Sequence, residues 1–211
     1  MQKWLKVVLL GLLMVSFASA DVVQIELNHE YSGGAAPAGS NLPWLTATFT
    51  DVAGGVQLVM STANLVASEF VSRWYFNLNP ILNLSSLNIG HLGGQNAAVG
   101  KSSNGYLAAG GGSYDIRFVF PVAASSDRFR AGETSSFLLS GIPGLKASDF
   151  LFPSAPRGGN DTYLSAAHVQ GIGANANGSG WVAVRIPEAT FAGEFALALG
   201  TCLLLSGARR L

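Results

Sequence analysis

The side chains that could support acid–base or metal chemistry are scattered singly along this sequence. The three histidines, His29, His91 and His168, lie in different segments, and none has an acidic residue or a second histidine at a metal-site spacing. The one cysteine, Cys202, cannot form an internal disulfide, and a cysteine-based zinc site needs several such ligands. No Gly-x-Ser-x-Gly motif stands between a strand and a helix. We therefore predict no catalytic residue, no metal site, no bound cofactor and no enzymatic activity.

Two alternative chemistries stay open at this point. A secreted hydrolase could use His168 or His91 with an acidic partner, because the members of a catalytic triad need not be close in sequence. That hydrolase requires a fold that joins the histidine to an Asp or a Ser in a cleft. The other alternative is a carbohydrate-binding module, since Trp44, Trp74 and Trp181 could stack on sugar rings. Aromatic side chains on strands more often belong to a core, so stacking requires tryptophans that the fold leaves exposed.

The elements that must position these side chains are segments in which apolar and polar residues alternate. A period of two places successive side chains on opposite faces of a strand. In residues 45–50 every apolar residue falls on one face and every threonine on the other, and Tyr114, Ile116 and Phe118 likewise share one face. This alternation predicts strands at residues 23–27, 45–50, 56–61, 70–78 and 114–120, and weaker signals predict strands near 137–139, 163–172 and 181–186.

Glycine-rich segments separate these predicted strands, and helical periodicity is nearly absent between Asp21 and Ile186. The runs Gly110-Gly111-Gly112 and Gly171-Ile172-Gly173 open no helix that would aim amide groups at a phosphate, so they predict turns. We predict loops at residues 31–41, 93–112, 154–161 and 173–180. The fold class that follows is all-β, a single antiparallel β-sandwich or jelly-roll-like domain over residues 21–186.

Charge and composition narrow the class of protein further. The 211 residues contain 12 Lys+Arg and 12 Asp+Glu, and 49% of them are hydrophobic while only 11% are charged. A chain without net positive charge is not a typical nucleic-acid binder, and a chain this apolar is not disordered. We therefore expect a folded protein with no nucleic-acid partner.

The amino-terminal segment has the pattern of a secretory signal peptide. Lys3 and Lys6 precede an apolar run over residues 7–17, and Ala18-Ser19-Ala20 follows. Ala18 and Ala20 are the small side chains that a signal peptidase accepts beside its cleavage site. We predict a signal peptide over residues 1–20 that signal peptidase cuts after Ala20, which exports the remainder across the inner membrane.

The carboxy-terminal segment has the pattern of a transmembrane helix. Residues 189–208 are apolar apart from Glu194 and a few small polar residues, and Arg209 and Arg210 follow them. Twenty helical residues rise about 30 Å, which is about the thickness of a bilayer core. Basic residues directly after a span stay in the cytoplasm, so the region before Pro187 would lie outside. This topology agrees with export by the signal peptide.

The tail resembles a known sorting signal. Its Pro187-Glu188 dipeptide, its apolar span containing Gly200 and its terminal Arg209-Arg210 pair are similar to the tails of PEP-CTERM proteins of Gram-negative bacteria. The family motif is Pro-Glu-Pro, and Ala189 stands here in the place of the second proline. The resemblance implies that residues 187–211 are a sorting tail, which an exosortase-type membrane protease cuts near the motif. It also implies delivery to the cell surface or to an exopolysaccharide matrix.

Together these patterns predict an exported, non-enzymatic cell-surface or exopolysaccharide-matrix protein. The membrane would hold it through the carboxy-terminal helix until processing, and extracellular polysaccharide is an expected partner. The alternatives are a carbohydrate-binding module and an ordinary single-pass anchored envelope protein. The sequence names neither the ligand of the β-domain nor its oligomeric state.

Overall fold

β-Strands account for most of the secondary structure in the computed structural model, which describes residues 20–123, 126–158 and 161–185. In chain order the strands are β1 (Val22–Leu27), β2 (His29–Glu30), β3 (Leu45–Val52), β4 (Gly55–Ser61), β5 (Phe70–Phe76), β6 (Asn88–Gly94), β7 (Ala98–Leu107), β8 (Ser113–Val119), β9 (Phe129–Arg130), β10 (Thr134–Ser140), β11 (Tyr163–Ile172) and β12 (Gly178–Arg185). Two short 3-10 helices cover Leu84–Ser86 and Ala147–Phe150. The prediction of an all-β fold is confirmed.

The strands form two antiparallel sheets. The first sheet has the strand order β1-β3-β4-β10-β6. The second has the order β2-β12-β11-β5-β8-β7, with β9 paired to one end of β5. Neighbours in the sheets are often distant in the chain, as β4 is from β10 and β5 is from β11. The arrangement is sandwich-like, and most of its stability must come from contacts between segments that are far apart in sequence.

The main core lies between the two sheets and is rich in aromatic rings. Phe49 of the first sheet meets Phe76 of the second edge-to-face, with ring centroids 5.4 Å apart. Phe137 and Phe118 make a second contact across the sheets at 4.8 Å. The alternation in β3 explains this placement, because Leu45, Ala47 and Phe49 are fully buried while the threonines between them are half-buried.

All eight predicted strands are present, but the prediction of a loop over residues 93–112 is wrong. Strand β7 (Ala98–Leu107) occupies most of that segment, and β6 (Asn88–Gly94) ends inside it. Both strands lie at the edge of a sheet, and their side chains are mostly exposed. An exposed strand needs no apolar alternation, because its backbone hydrogen bonds hold it to its neighbour.

The predicted signal peptide and the predicted sorting tail lie mainly outside the described residues. Ala20 is described and exposed, whereas the other residues of the predicted sites lie outside, namely Ala18, Pro187, Glu188, Ala189, Arg209 and Arg210. In the ranges that the structure does describe, no helix is long and apolar enough to cross a membrane.

Candidate functional site

His168 lies beside a serine on the second sheet. Its Nδ1 atom is 2.9 Å from the Ser72 hydroxyl oxygen of the neighbouring strand β5. The pairing of β11 with β5 is irregular between His168 and Val169, and such a bulge re-aims side chains. Ser72 is only 2% exposed, and no carboxylate is within hydrogen-bond distance of His168 among the described residues. The Ser72 hydroxyl is therefore almost completely shielded from solvent.

The other histidines lie apart from His168. His91 is on edge strand β6 of the opposite sheet, exposed, with its ring edge-to-face against Phe137 at 5.3 Å. His29 lies in the two-residue strand β2 and pairs with Ala183 through the backbone. The fold therefore brings none of the three histidines together. No group of three or more His, Cys, Asp or Glu side chains within the described ranges could hold a metal ion.

The three tryptophans that were candidates for sugar stacking occupy different environments. Trp74 is fully buried in the main core, so it presents no face to a sugar, and this corrects its place among the candidates. Trp44 is half-buried against the core and donates its indole N–H to the Gly39 carbonyl at 2.9 Å. Trp181 is half-buried on the opposite face of the second sheet, away from the core.

A second aromatic cluster, which we call the outer aromatic cluster, covers that opposite face. It contains Trp181 and all five tyrosines of the chain, Tyr31, Tyr75, Tyr106, Tyr114 and Tyr163. The ring planes of Tyr75 and Trp181 are 24° apart with centroids at 5.5 Å, and the planes of Trp181 and His168 are 22° apart at 4.8 Å. Small side chains beneath them, Ala166 and Ala183, leave room for these rings.

Tyr114 is in this cluster and not on the core face with Ile116 and Phe118, so the alternation predicted its face wrongly. The pairing of β8 with β7 breaks between Lys101 and Tyr106, where extra residues bulge from β7. The change of face falls at this irregularity, as expected for a bulge. Tyr114 then contacts Tyr75, with ring centroids 5.6 Å apart.

Two arginines give the outer aromatic cluster a positive rim. The Arg117 guanidinium lies 4.4 Å from the centre of the Tyr106 ring, a cation–π arrangement. Arg73 is exposed in the strand position opposite His168. Neither arginine of the rim forms an ion pair with a carboxylate among the described residues. Their charges are therefore available to an anionic ligand.

The ionisation of the cluster follows from burial. Burial, and then the positive charge of Arg73, lowers the pKa of His168, so its ring is neutral at pH 7. Burial raises the pKa of Tyr75, and the same cause raises the pKa of Tyr114. Tyr75 and Tyr114 are thus neutral hydroxyl groups at physiological pH. The cluster offers flat apolar rings, hydroxyl groups and two positive charges, which suits binding better than acid–base chemistry.

The tyrosines of this cluster were not among the predicted binding residues. Tyr75 lies between Trp74 and Phe76 on β5, so alternation places it on the face opposite those two core residues, and that face was not predicted to be buried. The sequence does contain a signal for this cluster, because Tyr75 and Trp181 both lie on strand faces opposite core residues. Tyr75 lies between the core residues Trp74 and Phe76, and Trp181 lies beside the core residue Val182. Aromatic residues on both faces of a strand indicate a sheet with two apolar surfaces.

Comparison of the chain with protein-family models, with curated protein sequences and with solved structures gives no match.

Proposed function

We propose that this chain is an exported β-sandwich protein of the bacterial cell surface or exopolysaccharide matrix, with a binding role and no enzymatic one. Its tail of residues 187–211 is the sorting signal, and an exosortase-type protease processes it. The observation that carries the proposal is that one sequence combines the residue pattern of an export signal, over residues 1–20, with a Pro-Glu, apolar and Arg-Arg pattern over residues 187–211.

The position of the folded domain supports this proposal. The first strand begins at Val22, two residues after the predicted cleavage site, and the last strand ends at Arg185, two residues before Pro187. Strands β1 and β12 belong to different sheets, and both contact other strands along their length. Removal of residues 1–20 and of the tail would therefore leave every described strand intact.

The tail makes a testable prediction about processing. Changing Pro187 and Glu188 together to alanine should leave the β-domain folded, while the full-length protein accumulates in the membrane fraction. The reason is that the protease would lose its recognition residues while the apolar span would still hold the chain in the membrane. Intact mass and terminal-peptide mass spectrometry of the native envelope and medium would locate the carboxy terminus of each product.

A variant that restores the family motif provides the matched control. Ala189→Pro creates Pro-Glu-Pro and should raise the fraction of cut protein relative to the natural chain. Release of the Pro187, Glu188 double variant at the natural rate would contradict the sorting proposal. A natural product that ends at Leu211 would instead establish a permanent single-pass anchor.

The outer aromatic cluster favours a second candidate function, binding of acidic polysaccharide. Trp181, Tyr106 and His168 are half-buried at its surface, and the side chains of Arg73 and Arg117 lie beside them without carboxylate partners among the described residues. Apolar ring faces bind the C–H faces of sugars, and guanidinium groups bind carboxylates in a bidentate way. This combination fits a polysaccharide that carries uronic acid groups.

Trp181→Ala should weaken that binding by about fivefold, because a stacked aromatic contact contributes about 1 kcal/mol. A glycan array with acidic and neutral polysaccharides, followed by calorimetry on the strongest ligand, measures the change. Trp44→Ala is the control, since Trp44 is half-buried but lies outside the outer aromatic cluster. Equal affinity of the Trp181 variant and the natural domain, or binding confined to neutral polysaccharides, would rule out this function.

A further inference from the structure

A cavity of about 340 Å³ lies at one edge of the second sheet, apart from the outer aromatic cluster. Four segments line it, namely the chain that follows β5, the bulge of β7, Asp115 of β8 and residues 152–156. We call it the Asn77 cavity, because Asn77 contributes a buried amide side chain to its wall. Its volume is in the range of small-molecule sites.

Asn77 has an unused hydrogen-bond donor. Its side chain is 3% exposed, and its Oδ1 atom accepts the backbone N–H of Asp115 at 3.2 Å. Its Nδ2 atom is buried and has no hydrogen-bond partner in the part of the chain that the structure describes. A buried amide group that lacks its acceptor costs about 1–3 kcal/mol, so an acceptor supplied by a ligand would be favourable.

Asp115 supplies a carboxylate to the same cavity. One carboxylate oxygen accepts the backbone N–H of Asn104 at 2.7 Å, and the other accepts that of Leu78 at 3.2 Å. Each oxygen has a further lone pair, so the carboxylate can also accept a hydrogen bond from a ligand. The Asp115 side chain is thus fixed by two backbone donors and is not paired with Arg117, which lies over Tyr106.

The remaining wall of the cavity is largely apolar and carries no second charge. Phe152 is half-buried there, and Leu82 and several prolines complete the wall. No lysine, arginine or histidine is among the residues that line it. The apolar face of a ligand ring would therefore contact the apolar side chains of this wall. The polar edge of the same ring would face Asn77 and Asp115.

We propose that the Asn77 cavity binds a neutral sugar residue through its hydroxyl groups. A hydroxyl group can accept from the Asn77 amide and donate to the Asp115 carboxylate, so neighbouring hydroxyl groups satisfy both. An anion would be repelled by the Asp115 carboxylate, and a cation would meet the N–H side of the Asn77 amide and only one carboxylate. This site is separate from the sorting tail and from the outer aromatic cluster. An experiment can therefore contradict the proposal for any one of them without affecting the proposals for the other two.

The test uses the protein in the form in which it is recovered from the native medium or envelope, with or without its tail. Saturation-transfer NMR against glucose, galactose and mannose identifies binding, and titration gives the dissociation constant. Ser103→Trp places a large side chain into the cavity from an exposed position. Ser86→Trp is the matched control, because Ser86 is also exposed, lies outside the cavity and uses no side-chain hydrogen bond among the described residues.

We expect at least one hexose to bind, with affinity reduced tenfold or more in Ser103→Trp and unchanged in Ser86→Trp. Asp115→Asn should reduce the affinity by a similar factor, because one acceptor oxygen is replaced by a donor. Thermal unfolding of each variant separates loss of binding from loss of folding.

Several results would overturn the proposal. No binding of any hexose at tens of millimolar would remove it, and so would a Ser103→Trp variant that folds and binds as the natural domain does. Loss of hexose binding in Trp181→Ala alone would assign the sugar to the outer aromatic cluster instead. A thermal stabilisation by calcium that Asp115→Asn abolishes, without any response to hexoses, would identify a cation site.

Discussion

Replacing Trp74 with alanine should lower the free energy of unfolding by about 3–5 kcal/mol, the usual cost of deleting a large buried aromatic side chain. Trp74 is fully buried between the sheets, and its ring lies 5.9 Å from Phe76 and 6.4 Å from Phe129. Its indole N–H also donates to the Ser165 hydroxyl at 2.8 Å. Alanine would leave a cavity in the core, and it would also leave the Ser165 hydroxyl without the indole N–H that donates to it.

Urea unfolding followed by circular dichroism gives the free energies for this comparison. Trp74→Phe retains most of the ring and removes the N–H, so it should cost less than the alanine variant and separate packing from hydrogen bonding. Ser165 would still donate to the Tyr75 carbonyl at 2.8 Å in that variant. Ile81→Ala is the control, since Ile81 is 85% exposed and should change stability by no more than about 0.5 kcal/mol. A loss below about 1 kcal/mol for Trp74→Ala would contradict the placement of Trp74 in the core.

The strands that bury one face were predictable because burial leaves a pattern in the sequence. Leu45, Ala47 and Phe49 alternate with threonines, and the structure places the three apolar side chains in the core. Strand β7 was not predictable in this way, since an exposed edge strand has little reason to alternate. The strand orders of the two sheets were also beyond the sequence, because pairing partners such as β4 and β10 are far apart in the chain.

The candidate binding residues depend on pairing and were only partly predictable. Trp181 was a candidate from its type, but its position beside His168 and Tyr75 results from the register of three strands. The Asn77 cavity carries no sequence signature at all, because its polar groups come from segments before β6, within β7 and within β8. The pairing of strands is irregular at Ser72 and at Tyr106, and these irregularities determine which side chains surround the outer aromatic cluster. A bulge leaves no periodic signal in the sequence, so neither irregularity was predictable.

The glycines of the Gly171-Ile172-Gly173 run show the same dependence on pairing and lead to the second large effect. Gly171 has a φ of +76°, and the pairing of β11 with β12 is irregular between Gln170 and Ile172. A Cβ atom at Gly171 would meet the backbone carbonyl of Ser68, which cannot move aside as a flexible side chain can. The backbone of strand β11 therefore requires glycine at position 171. This requirement explains the glycine without a phosphate-binding role.

Gly171→Ala should lower the free energy of unfolding by about 2–5 kcal/mol. About 1–2 kcal/mol comes from the left-handed backbone conformation and about 1–3 kcal/mol from the close contact with Ser68. The Ser68 hydroxyl also donates to the Gly171 carbonyl at 2.8 Å, so displacement of either segment would strain this bond. The cost falls on strand β11, which pairs with both β12 and β5 in the second sheet.

Gly173→Ala is the matched variant, because Gly173 also has a positive φ, +84°, but no atom lies within 4 Å of its added Cβ. Gly173→Ala should lower the free energy of unfolding only by the contribution of the left-handed backbone conformation, about 1–2 kcal/mol. The difference between the two variants in urea unfolding then measures the close approach of Ser68 to Gly171. Equal losses at the two positions would mean that only the backbone conformation matters. In that case the packing of the β4–β5 connection against β11 would contribute nothing measurable to the stability of the second sheet.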